Sequence, residues 1–323
     1  MGPAGEDHRA RHQPDVDDPS RPATTVSVVI VNKGDPGIAR TLDAFRAHES
    51  PLLGEIVVVD ASQGALDEIR RAFPWVKWIS YENVTRKSRT IAEQRNVGVA
   101  NSEGDVVVFL DANCVPGPHW LERLAAPILA GTESIVVGRI TSPSGATIHD
   151  MVGNQGGHDG SYLEQCANMN VAYRRDVIER LGGFDEQLGF AEDIDFAWRA
   201  RDAGLRIRFE PSAEVVHDWG TFGQDLSRAF RYGVARVRLY RKHTARIANL
   251  VRSDLYITIY VLYVLASPIA LVFPAYLLAL LIPALKNREH QPILTVAYHL
   301  VYALGVLSEL FHVPTFRRPN RSR

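Results

Sequence analysis

The sequence is poor in cysteine. Only Cys114 and Cys166 occur in 323 residues, and neither belongs to a CxxC pair. A disulfide framework is therefore excluded, and free thiols in a reducing compartment are the simplest reading. Excess charge is also lacking: the formal net charge is −1, which gives no footing for a nucleic-acid partner. Met1 to Thr24 carries Pro, Asp, Arg and His but no apolar run, so it reads as a polar, disordered tail rather than a signal peptide. No GxGxxG follows the first apolar run and no GxxxxGK[ST] occurs anywhere. Both the dinucleotide fingerprint and the P-loop are absent.

What is present begins at Val26. Val26-Ser27-Val28-Val29-Ile30-Val31 is short, apolar and rich in β-branched residues, and Asn32-Lys33-Gly34 ends it. That pattern predicts a strand buried on both faces. Asp35 and Pro36 then open a helix running through Leu42 and Phe45. Glu55 to Asp60 predicts a second buried strand, Lys77 to Tyr81 a third, Arg89 to Ala100 a helix, and Val106 to Asp111 the clearest strand of the chain. Alternation of this kind predicts an α/β fold with a parallel sheet and right-handed crossovers. Ligands of such sheets bind beyond the carboxyl ends of the strands. The residues there are Asn32 and Lys33, Asp60, and Asp111.

The texture changes after Ala245. Leu255 to Leu285 is 31 residues without a charged side chain, interrupted by Pro268, Pro274 and Pro283. It predicts one kinked membrane helix, or an interfacial helix followed by a span. Ile293 to Pro314 is a second apolar stretch. Basic residues from Arg228 to Arg252 and from Arg317 to Arg323 flank the two stretches, which places both flanks at the cytoplasmic face for two crossings.

Four features carry possible chemistry, each with a purely structural reading beside it. Asp60 closes a strand and either caps an Asx-turn or accepts hydrogen bonds from a ribose or base. Asp111-Ala112-Asn113 places two oxygen-bearing side chains at i and i+2 of a strand exit. They form a turn, or they face one hard cation such as Mg²⁺ or Mn²⁺ that bridges to substrate phosphates. Glu192 and Asp193 open an amphipathic stripe of Phe190, Ile194, Ala197 and Trp198. Acids there suit the helix dipole, which also favours the ionised state that a proton acceptor needs. His217, after Glu214-Val215-Val216, is a core histidine or a neutral metal ligand.

Read in order, Ser27 to Ile30, Glu55 to Asp60, Arg95-Asn96-Val97-Gly98, Gly104-Asp105 to Asp111-Ala112-Asn113, Gly182-Gly183-Phe184-Asp185-Glu186, Glu192-Asp193 with Arg199, and Pro211 to His217 resemble the successive motifs of family 2 glycosyltransferases. The resemblance covers Val26 to Gly220. It implies the GT-A fold and inverting transfer from a nucleoside diphosphate sugar, of the UDP-sugar kind, with a divalent metal (Mg²⁺ or Mn²⁺) on the diphosphate. It also implies roles. Asp193 looks like the catalytic base. Asn32, Lys33, Asp60, Arg95, Asn96, Asp111 and Glu192 look like nucleotide-sugar contacts, and Asp111, Asn113 and His217 like the metal site. Trp219 and Arg199 are further candidates. The chain departs from the family at Asn113, where a second carboxylate is usual, and at Ala61.

Phe230-Arg231-Tyr232-Gly233 with Arg236, Arg238, Lys242 and His243, ahead of the apolar tail, is similar to membrane-attached members that build bacterial exopolysaccharides, the succinoglycan type among them. The implied acceptor is a glycan or lipid-linked glycan at the cytoplasmic face of the cell membrane, with membrane lipid as a further partner. The expected organisation is a disordered tail at 1–24, a GT-A domain at 25–225 and a basic amphipathic helical linker at 226–254. Apolar membrane-associated helices at 255–314 and a basic tail at 315–323 complete it. The glycine-rich 153–160 segment is a candidate acceptor lid. Two other classes stay open on the residues alone, a nucleotidyltransferase and a non-catalytic nucleotide- or glycan-binding membrane protein.

Overall fold

A computed structural model describes residues 25–47, 50–83, 90–143, 161–218, 221–252, 254–280, 282 and 292–311. The expected tail at 1–24 and the candidate lid at 153–160 lie outside the described residues.

The buried runs form the predicted strands. β1 (Val26–Asn32), β2 (Leu53–Asp60), β3 (Lys77–Ser80) and β4 (Val106–Asp111) make a parallel sheet in the order β3-β2-β1-β4. Beyond β4 the sheet becomes mixed. β8 (Asn170–Arg174) runs antiparallel to β4 and to β6 (Ile135–Thr141). β6 pairs in parallel with β9 (Ile207–His217), whose other partners are the antiparallel β5 (Cys114–Pro116) and β7 (Tyr162–Leu163). The strands in the first half read as continuous apolar runs because helices cover both faces. Val28, Ile30, Ile56, Val58, Val108 and Leu110 join one core with Leu42 and Phe45 of α1 (Ile38–Ala47) and Leu124 of α4 (Trp120–Leu129). Val29, Val57, Val107 and Phe109 join the other. Each fully buried Val, Leu or Ile contributes roughly 1.5–3 kcal/mol relative to exposure.

The second core brings the chemistry-bearing helices to the sheet. α3 (Ile91–Ala100) lies so close to β1 that a Cβ at Gly98 would sit 2.3 Å from Val29 Cγ1. That contact explains the glycine in Arg95-Asn96-Val97-Gly98. α5 (Arg175–Arg180) and α6 (Glu192–Asp202) cover the same face through Val177 and Phe196.

The boundary expected at 225/226 falls inside a continuous helix. α7 (Phe222–Lys242) starts at a capping box formed by Thr221 and Gln224. It packs along α9 (Pro292–Phe311), where a Cβ at Gly305 would lie 2.1 Å from the Phe230 carbonyl oxygen and one at Gly233 equally near that of Tyr302. Small residues let the two backbones approach. The basic residues of α7 do not form a free stripe. Arg238 donates to both oxygens of the buried Glu309 (3.1 and 3.0 Å), Arg241 joins it at 3.2 Å, and Arg236 lies 3.3 Å from Asp254.

The long uncharged stretch is not one helix. α8 (Leu255–Leu265) ends after 11 residues, and 3₁₀ turns at Ser267–Leu271 and Pro274–Leu280 follow. Pro268 and Pro274 lack the N–H that an α-helix interior requires. Eleven residues span ~16 Å, about half of the ~30 Å hydrocarbon core. Among the described residues the single helix long and apolar enough to cross a membrane is Ile293–Phe311, and half of it is buried inside the protein.

Candidate active site

Register places the strand-terminal residues side by side. Asn32 pairs with Asp60, and Val31 with Asp111. Asn32 shapes the loop after β1: its Oδ1 accepts the Asp35 N–H at 2.7 Å and its Nδ2 donates to the Asp35 carbonyl at 2.9 Å. Lys33 projects from that loop and is exposed. Asp60 is buried, and one of its two carboxylate oxygens accepts the Ser62 N–H at 2.8 Å. The turn reading of Asp60 therefore holds, and it occupies only one oxygen.

The centre of the site is Arg95. Its guanidinium is buried, ion-paired with the equally buried Glu192, bonded to the Asn168 carbonyl at 3.3 Å, and 3.9 Å from Asp111. Its carbon lies 5.9 Å from the ring centres of both Phe109 and Phe184. Burial pushes the Glu192 carboxyl up to about 7 against the pull of Arg95. The neighbouring Asp193 is likewise raised by burial, while Arg95 and the N–H groups of Ile194 and Asn168 pull it back. Asp193 Oδ1 accepts the Ile194 N–H at 2.8 Å. A carboxylate raised in this way is a better proton acceptor than an exposed aspartate. Ala191, just before α6, has a φ of 62°. A non-glycine residue held there is strained, a feature that clusters at functional sites.

Asp111 is half-buried at the end of β4. The Asn113 amide is engaged at both ends: Oδ1 accepts Arg40 Nη2 at 2.6 Å, and Nδ2 donates to the Asp218 carbonyl at 3.2 Å. His217 ends β9 opposite Cys114, and burial holds its imidazole below the ordinary value although Asp111 favours the charged form. It is therefore neutral at pH 7, the state a metal ligand requires.

Not every candidate faces the site. Asn96 grips the Gly183-Phe184 turn: Oδ1 accepts the Phe184 N–H, and Nδ2 donates to the Phe184 carbonyl and to Glu186, each at 2.9 Å. Arg199 holds the same turn through the Leu181 and Gly183 carbonyls at 2.6 and 2.8 Å. Trp219 lies outside the described residues. Sequence reasoning missed Arg40 and read Tyr232 only within the pattern of membrane-attached members; the Tyr232 hydroxyl is pushed up by burial and by the nearby Asp193. It also missed Asp195. That fully buried carboxylate binds Arg199 (2.9 Å), Lys242 (2.6 Å) and His243 (2.8 Å), tying α6 to α7 and the residue that follows it. A carboxylate repeating at i+4 before an arginine was the available signal.

Acids at two strand ends, a buried Arg–Glu pair and an Asp at a helix start thus gather on a sheet of the GT-A fold. Residues 25–182 match the family described as Glycosyl transferase family 2, so the chain carries a glycosyltransferase domain of that family. It is 28% identical over 231 residues to the glycosyltransferase AglE of Haloferax volcanii, covering 68% of this chain and 74% of that one. It is 32% identical over 183 residues to the pre-mycofactocin glycosyltransferase of Mycobacterium tuberculosis, spanning 51% of this chain and only 38% of that protein's length. The succinoglycan biosynthesis protein ExoA of Rhizobium meliloti is 23% identical over 64% of this chain and 67% of its own, in keeping with the expected succinoglycan-type resemblance. The mannosyltransferase PcManGT of Pyrobaculum calidifontis, solved with GDP-Man and Mn²⁺, shares the fold with a TM-score of 0.62 at 20% identity, over 89% and 87% of the two chains.

Proposed function

We propose that the enzyme transfers a sugar, with inversion, from a UDP-sugar to a glycan or lipid-linked acceptor at the cytoplasmic membrane face. The observation that carries this reading is the buried Arg95, which lies 3.9 Å from Asp111, pairs with Glu192 and attracts the adjacent Asp193. Asp193 takes the proton from the acceptor hydroxyl as its oxygen bonds the anomeric carbon. The bond from that carbon to the diphosphate oxygen breaks, and the nucleoside diphosphate leaves. Glu192 and Arg95 position this pair of carboxylates, and Asn32, Lys33 and Asp60 lie where the nucleoside would rest. Asn96 supports the site from behind, through the 183–186 turn.

Among the described residues no three His, Cys, Asp or Glu groups form a closed metal cage. The residues instead fit a cation carried largely by the donor's phosphates, as Mg²⁺ and Mn²⁺ commonly are. Asp111 and the neutral His217 would hold it, with Asn113 beside them, and it would stabilise charge on the leaving diphosphate. The fold neighbour solved with Mn²⁺ supports this reading. The large apolar side chains of Ile259, Leu262, Leu271, Val272 and Phe273 are each exposed, which supports lipid contact.

The test is a panel of UDP- and GDP-sugars offered to the full chain with Mn²⁺, reading released nucleoside diphosphate. One donor should turn over, and Asp193→Asn should lower kcat at least ~10²-fold while leaving nucleotide affinity intact. Near-normal turnover by Asp193→Asn would remove that residue from the base role.

A further inference from the structure

The strongest unassigned feature lies at the third position of Asp111-Ala112-Asn113. Gly37 allows α1 to press against this triplet, since a Cβ there would sit 2.5 Å from Asn113 Oδ1. Arg40 is three residues on, along the same helix face. Its Nη2 donates to Asn113 Oδ1 at 2.6 Å, and the Asn113 amide is fixed at its other end by the Asp218 carbonyl. The first N–H of this helix end is already taken, because Asp35 Oδ1 accepts from Gly37 N at 2.8 Å. The cation offered here is therefore the Arg40 side chain and not the helix terminus.

The chemistry of residue 113 then matters. An aspartate would meet Arg40 as a counter-ion and cancel its charge. Asparagine accepts the hydrogen bond while staying neutral, so the guanidinium keeps its positive charge. The nearest carboxylate is Asp218, at 3.9 Å and half-exposed, in a pairing too loose and too solvated to neutralise it. Arg40 itself is exposed and still presents further N–H donors. A guanidinium beside the strand-end crevice is well shaped for two phosphate oxygens at once.

We propose that Arg40 binds the diphosphate of the donor, supplying from the protein a positive charge that an Asp-x-Asp site would draw from its metal. Part of the affinity for nucleoside diphosphate is then independent of divalent metal. This inference rests on the nucleoside-diphosphate-sugar reading of the site. A cation that Asp111 and His217 would hold and the guanidinium bonded to Asn113 would both act on the same anion.

The test is calorimetric binding of UDP and GDP to the full chain, each against its bare nucleoside, in EDTA and in Mn²⁺. The wild type should bind one nucleoside diphosphate in EDTA more tightly than the nucleoside. Arg40→Ala should weaken that metal-free binding about tenfold, the usual scale of a charge-assisted bond to phosphate, and leave nucleoside binding unchanged. Arg40→Lys should fall between, because the charge remains and the fork is lost. Asn113→Asp should make binding more dependent on Mn²⁺ than in the wild type. Equal metal-free affinity in Arg40→Ala and wild type would overturn the proposal, as would loss of all wild-type binding in EDTA when Mn²⁺ restores it. Failure of both nucleotides to bind with Mn²⁺ would remove the donor reading itself. Arg40 is exposed, so unchanged thermal melting of its variants separates lost binding from lost folding.

Discussion

Replacing Arg95 by methionine should destabilise the protein strongly, and by an amount that depends on pH. Arg95 and Glu192 are 4% and 5% exposed, so neither charge can turn to water once its partner is gone. Removing one partner of a buried pair costs about 3–5 kcal/mol, because the survivor is left uncompensated. Glu192 can escape that penalty by taking a proton. Its folded-state value is about 7 against an ordinary 4.5. Between those values the folded protein holds a proton that the unfolded chain has released, so stability falls as pH rises across the window. Without Arg95 the carboxyl rises further, and the loss steepens. At pH 8 Arg95→Met should cost about 1.4 kcal/mol more than at pH 5.5, the equivalent of one pH unit above the folded value of Glu192. At pH 5.5, with Glu192 protonated, the loss is that of the Asn168 bond, the ring contacts and the attraction to Asp111 and Asp193, about 1–2 kcal/mol. Urea unfolding of the full chain in detergent, followed by tryptophan fluorescence at both pH values, measures this difference. Arg95→Met with Glu192→Leu should recover most of the loss at pH 8, since no buried charge remains. A single variant within 1 kcal/mol of wild type at pH 8, or one equally destabilised at both pH values, would refute the reasoning.

Gly305→Leu should destabilise the α7–α9 pair by about 3 kcal/mol or more, because its side chain would collide with backbone rather than with a movable side chain. A thermal melt would show it, with Leu304→Ala, at a half-exposed position, as the near-neutral control. Asp193 must be ionised to accept a proton and burial raises it, so kcat/KM should fall as pH drops, at a pH above that expected for an exposed aspartate. A rate that stays flat down to about pH 4, the exposed-aspartate value, would contradict that environment. Asn96→Ala removes three hydrogen bonds to the 183–186 turn and should cost about 2 kcal/mol. Limited proteolysis should then cut at that turn first; unchanged protection would return Asn96 to the ligand-facing role that the family resemblance implies.

The parts of this protein legible in the sequence are those encoded locally. β-Branched runs at Val26, Ile56 and Val106 specify strands buried on both faces, and their last residues mark the ligand edge. Acids before an amphipathic stripe mark the start of α6. The parallel order holds only as far as β4, because the reversal at β8 depends on pairing with β6 and leaves no local signature.

Tertiary structure alone decided how the candidate residues are used. Arg95 and Glu192 meet across 97 residues of chain, and Arg40 and Asn113 across 73. Neither spacing has a period that could reveal a contact. Asn96 and Arg199 carry the same letters whether they face a nucleotide or hold a turn, and packing chose the turn. Composition revealed the apolar tail, but hydropathy cannot say that Arg238 and Arg241 close on Glu309 or that the first stretch breaks after 11 residues. Local sequence sets which residues are buried and which conformations they prefer. Register and packing set which charges share a low-dielectric interior, and the chemistry of this site depends on that sharing.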